Sequence, residues 1–178
     1  MIRPAQPRDV PAIVALIAEL AAYEREPDAA KATVADLDAA LFGEHPALFG
    51  LIAEHAEFNG DEHEGDEPAV AGFALWFLNF STWVGKHGIY LEDLFVRPGF
   101  RGYGYGRQLL TELARIAGER GYGRVEWSVL DWNEPAHRFY ESLGAVAMQE
   151  WTTWRLTGDA LADLASRPPA STDVDGRV

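Results

Sequence analysis

A run of alternating glycines, Arg101-Gly102-Tyr103-Gly104-Tyr105-Gly106, separates an apolar stretch that reads as a strand from an amphipathic stretch that reads as a helix. Few features restrict a fold as strongly. Glycine lets the backbone turn tightly and approach a ligand closely. The helix that follows, marked by Leu109, Leu110, Leu113 and Ile116, opens with amides that have no intrahelical partner, at the positive end of the helix dipole. The combination suits an anion such as a diphosphate, with Arg101 and Arg107 placed to add charge. The spacing is G-x-G-x-G and Gly106 is followed by Arg107-Gln108. Dinucleotide folds need G-x-G-x-x-G and P-loops a lysine after the last glycine, so both readings fail. A plain structural connection would use the same residues, and the pattern alone leaves that open.

The elements around this turn are mixed. A short strand over 1–4 precedes a helix with Asp9 as N-cap, Pro11 in its first turn and Ile13, Leu16, Ile17 and Leu20 at helical spacing. A second helix runs from Thr33 through Leu37 and Leu41 to Gly43. Apolar strands are expected at 48–53, 69–77, 89–96 and 125–130, a helix at 133–143 ended by Gly144, a last strand at 146–156 and a short helix at 159–165. Residues 54–68 read as an acidic, glycine-bearing loop and 167–178 as a disordered tail. The order implies one α/β domain, a single sheet with helices on its faces.

Composition narrows the chemistry. The 178 residues hold 28 Asp and Glu against 15 Lys and Arg, a net charge of −13. Such a surface repels nucleic-acid phosphates and attracts cations, although acidity also serves solubility alone. There is no cysteine, so a thiol nucleophile and thiolate metal sites are excluded, and the five histidines lack metal-ligand spacing. No apolar run is long enough to span a membrane, and the first residues do not form a secretory signal, so a cytoplasmic protein without membrane partners is expected.

Two further places carry polar groups in apolar surroundings. In Tyr90-Leu91-Glu92-Asp93-Leu94-Phe95-Val96, strand alternation puts Glu92 on one face with Tyr90 and Leu94, and Asp93 on the other. Buried carboxylates require arginine partners, solvent or a function. Farther on, Asn133 is a good N-cap with Pro135 in the first turn. Tyr140 lies seven residues beyond Asn133, about 10 Å along the same helix face. A core aromatic and a functional phenol are both compatible with Tyr140.

Taken in order, IRPA (2–5), ELAAYE (19–24), LFGEHP (41–46), W-x-G-K (83–86), YLEDLFV (90–96), RGYGYG (101–106), VLDWNEPAHRFYESLGA (129–145) and Trp154-Arg155 resemble the GNAT N-acetyltransferases. More narrowly, they resemble the diamine (spermidine/spermine) N-acetyltransferase group and its thialysine-acetylating relatives. The resemblance covers 2–165 and implies a GNAT domain over 1–166. It implies a mixed, mostly antiparallel sheet, splayed between the strands of Glu92 and Val125, with acetyl-CoA entering from one side and the amine from the other. By the same likeness the backbone of Leu94, Phe95 and Val96 pairs with the pantetheine arm. Arg101, Gly102, Tyr103, Gly104, Tyr105, Gly106 and Arg107 hold the pyrophosphate, and Asn133, Glu134, Pro135 and Ala136 line the cofactor. Tyr140 matches the general acid and Glu92 the carboxylate that takes the amine proton through water. Tyr23, Glu24, Trp83, Glu92, Asp93, Glu126, Trp127 and Ser128 match positions at the amine. A homodimer is usual in the group, and no metal is implied.

The residue chemistry suits that role. A primary amine with a pKa of about 10.4 arrives protonated, so an acidic site attracts it and a carboxylate removes its proton. A departing thiolate needs a proton, and a thiol pKa of about 8.5 lies close enough to a tyrosine's of about 10 for the phenol to supply it while staying neutral itself at pH 7. Direct attack on the thioester needs no cysteine. The chain departs from the polyamine pattern where Ser81-Thr82 and Thr152-Thr153 stand in place of acids, and it has one extra residue between Trp83 and the Leu91-Glu92-Asp93 segment. Those losses leave diamines, thialysine or lysine-like amino acids and other small amines open as acceptors. A non-catalytic acyl-CoA sensor and a peptide N-acetyltransferase are the alternatives.

Overall fold

The computed structural model describes residues 1–56 and 68–167. They fall into two compact units, residues 1–128 and the chain from Val129 onward. Most of the acidic loop and all but the first residue of the C-terminal tail lie outside the described residues.

The first unit holds a five-stranded sheet in the order β1-β2-β3-β4-β5. Its strands are β1 (Ile2–Pro4), β2 (Phe49–His55), β3 (Ala69–Ser81), β4 (Lys86–Val96) and β5 (Val125–Glu126). Every pairing is antiparallel except β4 with β5. β3 and β4 run farther than their apolar segments indicate, because the W-x-G-K motif forms a hairpin turn with Gly85 at φ +69°. β2 likewise continues two residues into the expected acidic loop. Its Glu54 is buried against β1, where Arg3 Nε donates to it at 2.6 Å.

Arg3 also forks onto Asp9 at 2.6 and 2.8 Å. Asp9 precedes α1 (Val10–Tyr23) as expected, yet its carboxylate accepts from Arg3 and the Gln6 amide and caps nothing in that helix. Burial opposes ionisation of Asp9, but the hydrogen bonds from Arg3 and Gln6 and the attraction of Arg3 and Arg8 outweigh it and hold the carboxyl below its ordinary range. α2 (Val34–Phe42) has the cap its sequence promises. Thr33 Oγ accepts from the Asp36 amide at 3.2 Å and Asp36 Oδ2 from the Thr33 amide at 2.9 Å, a reciprocal capping box.

Helices cover both faces of the sheet. On one, Val10, Ile13 and Leu16 of α1 and Leu37 and Leu41 of α2 bury against Ile52, Phe73, Leu75 and Phe95. Each such side chain contributes about 1.5–3 kcal/mol by leaving water. α3 (Tyr105–Glu119) packs on the strands through Leu109, Leu110, Leu113 and Ala117, outside that cluster.

Two expected strands differ. Apolar residues continue to Leu130, but β5 ends at Glu126 because no ladder extends past Tyr90↔Glu126. In the second unit, α4 (Glu134–Glu141) and α5 (Gly158–Ser166) form, while 146–156 is not a strand. Val146, Met148, Trp151 and Trp154 are exposed there and no ladder includes them. Alternation makes a strand only where a neighbour pairs its backbone.

Candidate active site

The glycine turn forms as its composition requires. A short 3-10 turn over Pro98–Phe100 delivers the chain to Arg101, and α3 starts at Tyr105 with Gly104 as N-cap. Gly102 and Gly104 sit at φ +89° and +81°, the left-handed region that disfavours a side chain. A Cβ on Gly102 would meet nothing within 4 Å, and one on Gly104 only Gln108 Nε2 at 3.7 Å. Both positions therefore answer to backbone shape and leave open space over the turn. Gly104, as N-cap, brings no side chain to the start of α3, the end of a helix whose amides suit an anion. Arg107 stands exposed in that first turn. Arg101 lies elsewhere: its Nε donates to the Val96 carbonyl at 3.1 Å and its guanidinium covers the rings of Tyr23 and Phe95 at 4.9 and 5.8 Å.

β4 supplies the second part. Its pairing with β5 stops after Ile89↔Val125 and Tyr90↔Glu126, so the sheet splays there and the Leu94, Phe95 and Val96 backbone continues with no ladder on that edge among the described residues. The Tyr90 hydroxyl meets Ser128 Oγ at 3.0 Å across the start of the splay. Tyr90 was not singled out by the sequence; its position two residues before Glu92, facing the end of β5, is what involves it.

The acids do not follow simple alternation. Leu75 pairs with Asp93 and Trp76 with Leu91, so Glu92 is the extra residue of a β-bulge. The bulge reverses the face assignment. Tyr90, opposite Phe77, and Asp93, opposite Leu75, belong to the face of Phe73 and Phe95, whereas Leu94 pairs with Ala74 on the other. Glu92 itself is exposed. Asp93 is half-buried and no hydrogen bond or ion pair within the described residues reaches its side chain or that of Glu92. Burial first, then the charges of Glu92 and Glu24, push the Asp93 carboxyl up to about 6. Glu24, at the end of α1, is raised by burial as well.

The remaining predicted residues of the first unit are distributed around these acids. Tyr23 packs 6.5 Å from the Phe95 ring. Glu126 is already neutralised, bonded by Arg124 at 2.7 Å and by Asn79 Nδ2. Trp127 is half-buried just after β5, and Trp83 stands 89% exposed on the β3–β4 hairpin. In the second unit Asn133 is buried and caps α4, its Oδ1 accepting from the Ala136 amide at 3.4 Å. Glu134 and Pro135 open the helix, and Glu134 accepts from Arg138 at 3.1 Å. Tyr140 lies half-buried on α4 beside Phe139, ring centroids 5.3 Å apart. No cluster of three metal-ligating side chains occurs among the described residues, and no helix there is long and apolar enough to cross a membrane.

A mixed sheet whose β4–β5 ladder stops short, a glycine turn leading into α3, and acids on β4 without partners among the described residues make up the candidate site. Comparison with known proteins gives the family. Residues 14–145 match the acetyltransferase (GNAT) family model. A thialysine N-epsilon-acetyltransferase of Bos taurus is 38% identical, covering 94% of this chain and 98% of the relative. An L-ornithine N5-acetyltransferase of Arabidopsis thaliana is 37% identical over 90% of this chain and 85% of its own. Among solved structures, an integron cassette protein from the mobile metagenome of V. cholerae superimposes with a TM-score of 0.72 at 30% identity, covering 94% and 98% of the two chains. The chain belongs to the GNAT acetyltransferase family, enzymes that use acetyl-CoA as donor.

Proposed function

We propose that this enzyme acetylates the side-chain amine of a small cationic acceptor, a lysine-, thialysine- or ornithine-like amino acid or a diamine. The observation that carries the reading is the set of three carboxylates, Glu24, Glu92 and Asp93, close enough that the first two raise the third. Crowded acids with no hydrogen-bond or ion-pair partner among the described residues are stabilised by an arriving ammonium group. The relatives acting on thialysine and ornithine favour the amino-acid acceptors. Ser81, Thr82, Thr152 and Thr153, where polyamine acetylation expects acids, point the same way.

The open glycine turn and uncapped start of α3 fit the diphosphate of acetyl-CoA, and the unpaired edge at Leu94 to Val96 fits a pantetheine arm. Asn133, Glu134, Pro135 and Ala136 complete the cofactor residues of this reading. Bound there, acetyl-CoA supplies an activated acetyl thioester. The chain's own residues handle protons. Glu92, released from the ladder by its bulge and exposed, accepts the ammonium proton through water. Asp93 and Glu24 hold the cation, with Tyr23, Trp83, Trp127 and Ser128 shaping its pocket. Tyr140 Oη donates a proton to the departing sulfur.

A thiol-release assay with an amine panel tests the proposal. Release with thialysine, lysine, ornithine or a diamine is expected. Acetyl-CoA binding without release from any amine would make the chain a sensor, and release only with peptides would make it a peptide acetyltransferase.

A further inference from the structure

The glycine turn has freedom at Gly102 and Gly104 and no side-chain cap at the start of α3. Something else must hold it in one shape. His55, the last residue of β2, touches the turn on both sides. Its Nδ1 lies 2.8 Å from the Tyr105 hydroxyl, on the first residue of α3. Its ring centroid is 5.0 Å from those of Phe100, before the glycines, and Tyr103, between them, and 6.0 Å from that of Tyr105. Tyr103 and Tyr105 stack on each other at 6.2 Å. Three aromatic residues of one turn thus converge on a single imidazole at the end of a sheet strand.

We infer that His55 is the positioning residue of the glycine turn, and that it sets acetyl-CoA affinity by fixing the Tyr105 end of α3 to the sheet. The inference rests on the reading of that turn as the diphosphate site. Its physical basis is preorganisation. The backbone amides can face an anion only in the conformation that places Gly102 and Gly104 in the left-handed region, and every residue left mobile must be ordered when the ligand binds. The His55–Tyr105 contact connects the helix start to β2, and the ring packing of Phe100 and Tyr103 against the same imidazole closes the turn from its other end. The buried position of Tyr105, 9% exposed, against 60% for Tyr103, makes the Tyr105 hydroxyl the firmer anchor. Among the described residues the ring contacts of His55 include none of the acids at the splay, so its loss acts on the donor and not on the amine.

The test uses the full-length enzyme with His55→Leu, Tyr105→Phe, the double variant and His55→Asn, which restores a polar atom near the position of Nδ1. Titration calorimetry with CoA should show roughly tenfold weaker binding for His55→Leu and for Tyr105→Phe, equivalent to about 1.4 kcal/mol. The double variant should be no weaker than the worse single one, because both remove the same contact. His55→Asn should recover most of the affinity. In turnover, His55→Leu should raise the acetyl-CoA KM with kcat and amine KM within about twofold, while its kcat/KM for acetyl-pantetheine, which lacks the diphosphate, should not change. Equal CoA affinity in wild type and Tyr105→Phe would overturn the inference, as would an equal loss with both donors. Should His55→Leu fail to fold, Tyr105→Phe, which deletes one oxygen, decides the matter. Absence of CoA binding by the wild type would instead refute the diphosphate site itself.

Discussion

Asp93→Asn should stabilise the protein at neutral pH and leave it unchanged in acid. The carboxyl of Asp93 is raised from 3.8 to about 6, by burial first and then by Glu92 and Glu24. A group whose folded-state pKa is raised holds its proton more tightly in the native chain. For a carboxyl that means stability is lost as pH climbs from about 4 through about 6, and ionised Asp93 works against folding above that window. A shift of about two units corresponds to roughly 3 kcal/mol at most. Asn keeps the shape and removes the charge. Denaturant unfolding of both forms should give equal stability near about pH 4 and an advantage for the variant of roughly 2–3 kcal/mol near about pH 8, or about 5–10 °C in melting temperature for a chain of this size. Activity should fall in the same variant, since the charge that destabilises the free enzyme is the one that receives the ammonium group. A wild-type-minus-variant difference that does not change with pH would refute the reasoning.

Three other outcomes follow from the site. Tyr140→Phe should reduce kcat by roughly 10²–10⁴-fold with CoA affinity nearly unchanged, measured by thiol release and calorimetry; intact turnover would remove Tyr140 from the role of acid. Glu92→Gln should move the pH optimum of kcat/KM upward toward the amine pKa, because free amine must then form without a base, and an unchanged profile would count against Glu92. Gly104→Ala forces a side chain into a backbone at φ +81°, which costs about 1–2 kcal/mol, so both the melting temperature and the acetyl-CoA KM should suffer, as thermal unfolding and steady-state kinetics would register.

Some of this architecture was legible in the sequence because it rests on local chemistry. Glycines between an apolar run and an amphipathic helix produced a left-handed turn and an uncapped helix start at Gly104. Thr33 with Asp36, and Asn133 with Ala136, made the caps their residue types favour. Non-local features were hidden. Period-two alternation assumes a regular ladder, and the bulge at Glu92 breaks that assumption, so Tyr90 and Leu94 part company. Asp9 reads as a helix cap but is claimed by Arg3 from a neighbouring strand. The apolar residues after Glu126 and those at 146–156 carry strand-like patterns but join no ladder among the described residues. His55 gave no signal, since an isolated histidine beside an acidic stretch reveals nothing of Phe100, Tyr103 and Tyr105 converging on it.

Calorimetric titration of the purified wild-type chain with acetyl-CoA bears most directly on the central claim, that the turn beginning at Arg101 holds the donor by its diphosphate. One site per chain with micromolar affinity, much weakened when acetyl-pantetheine replaces the full donor, is the predicted result. No detectable heat with acetyl-CoA, or equal affinity for the two donors, would contradict it.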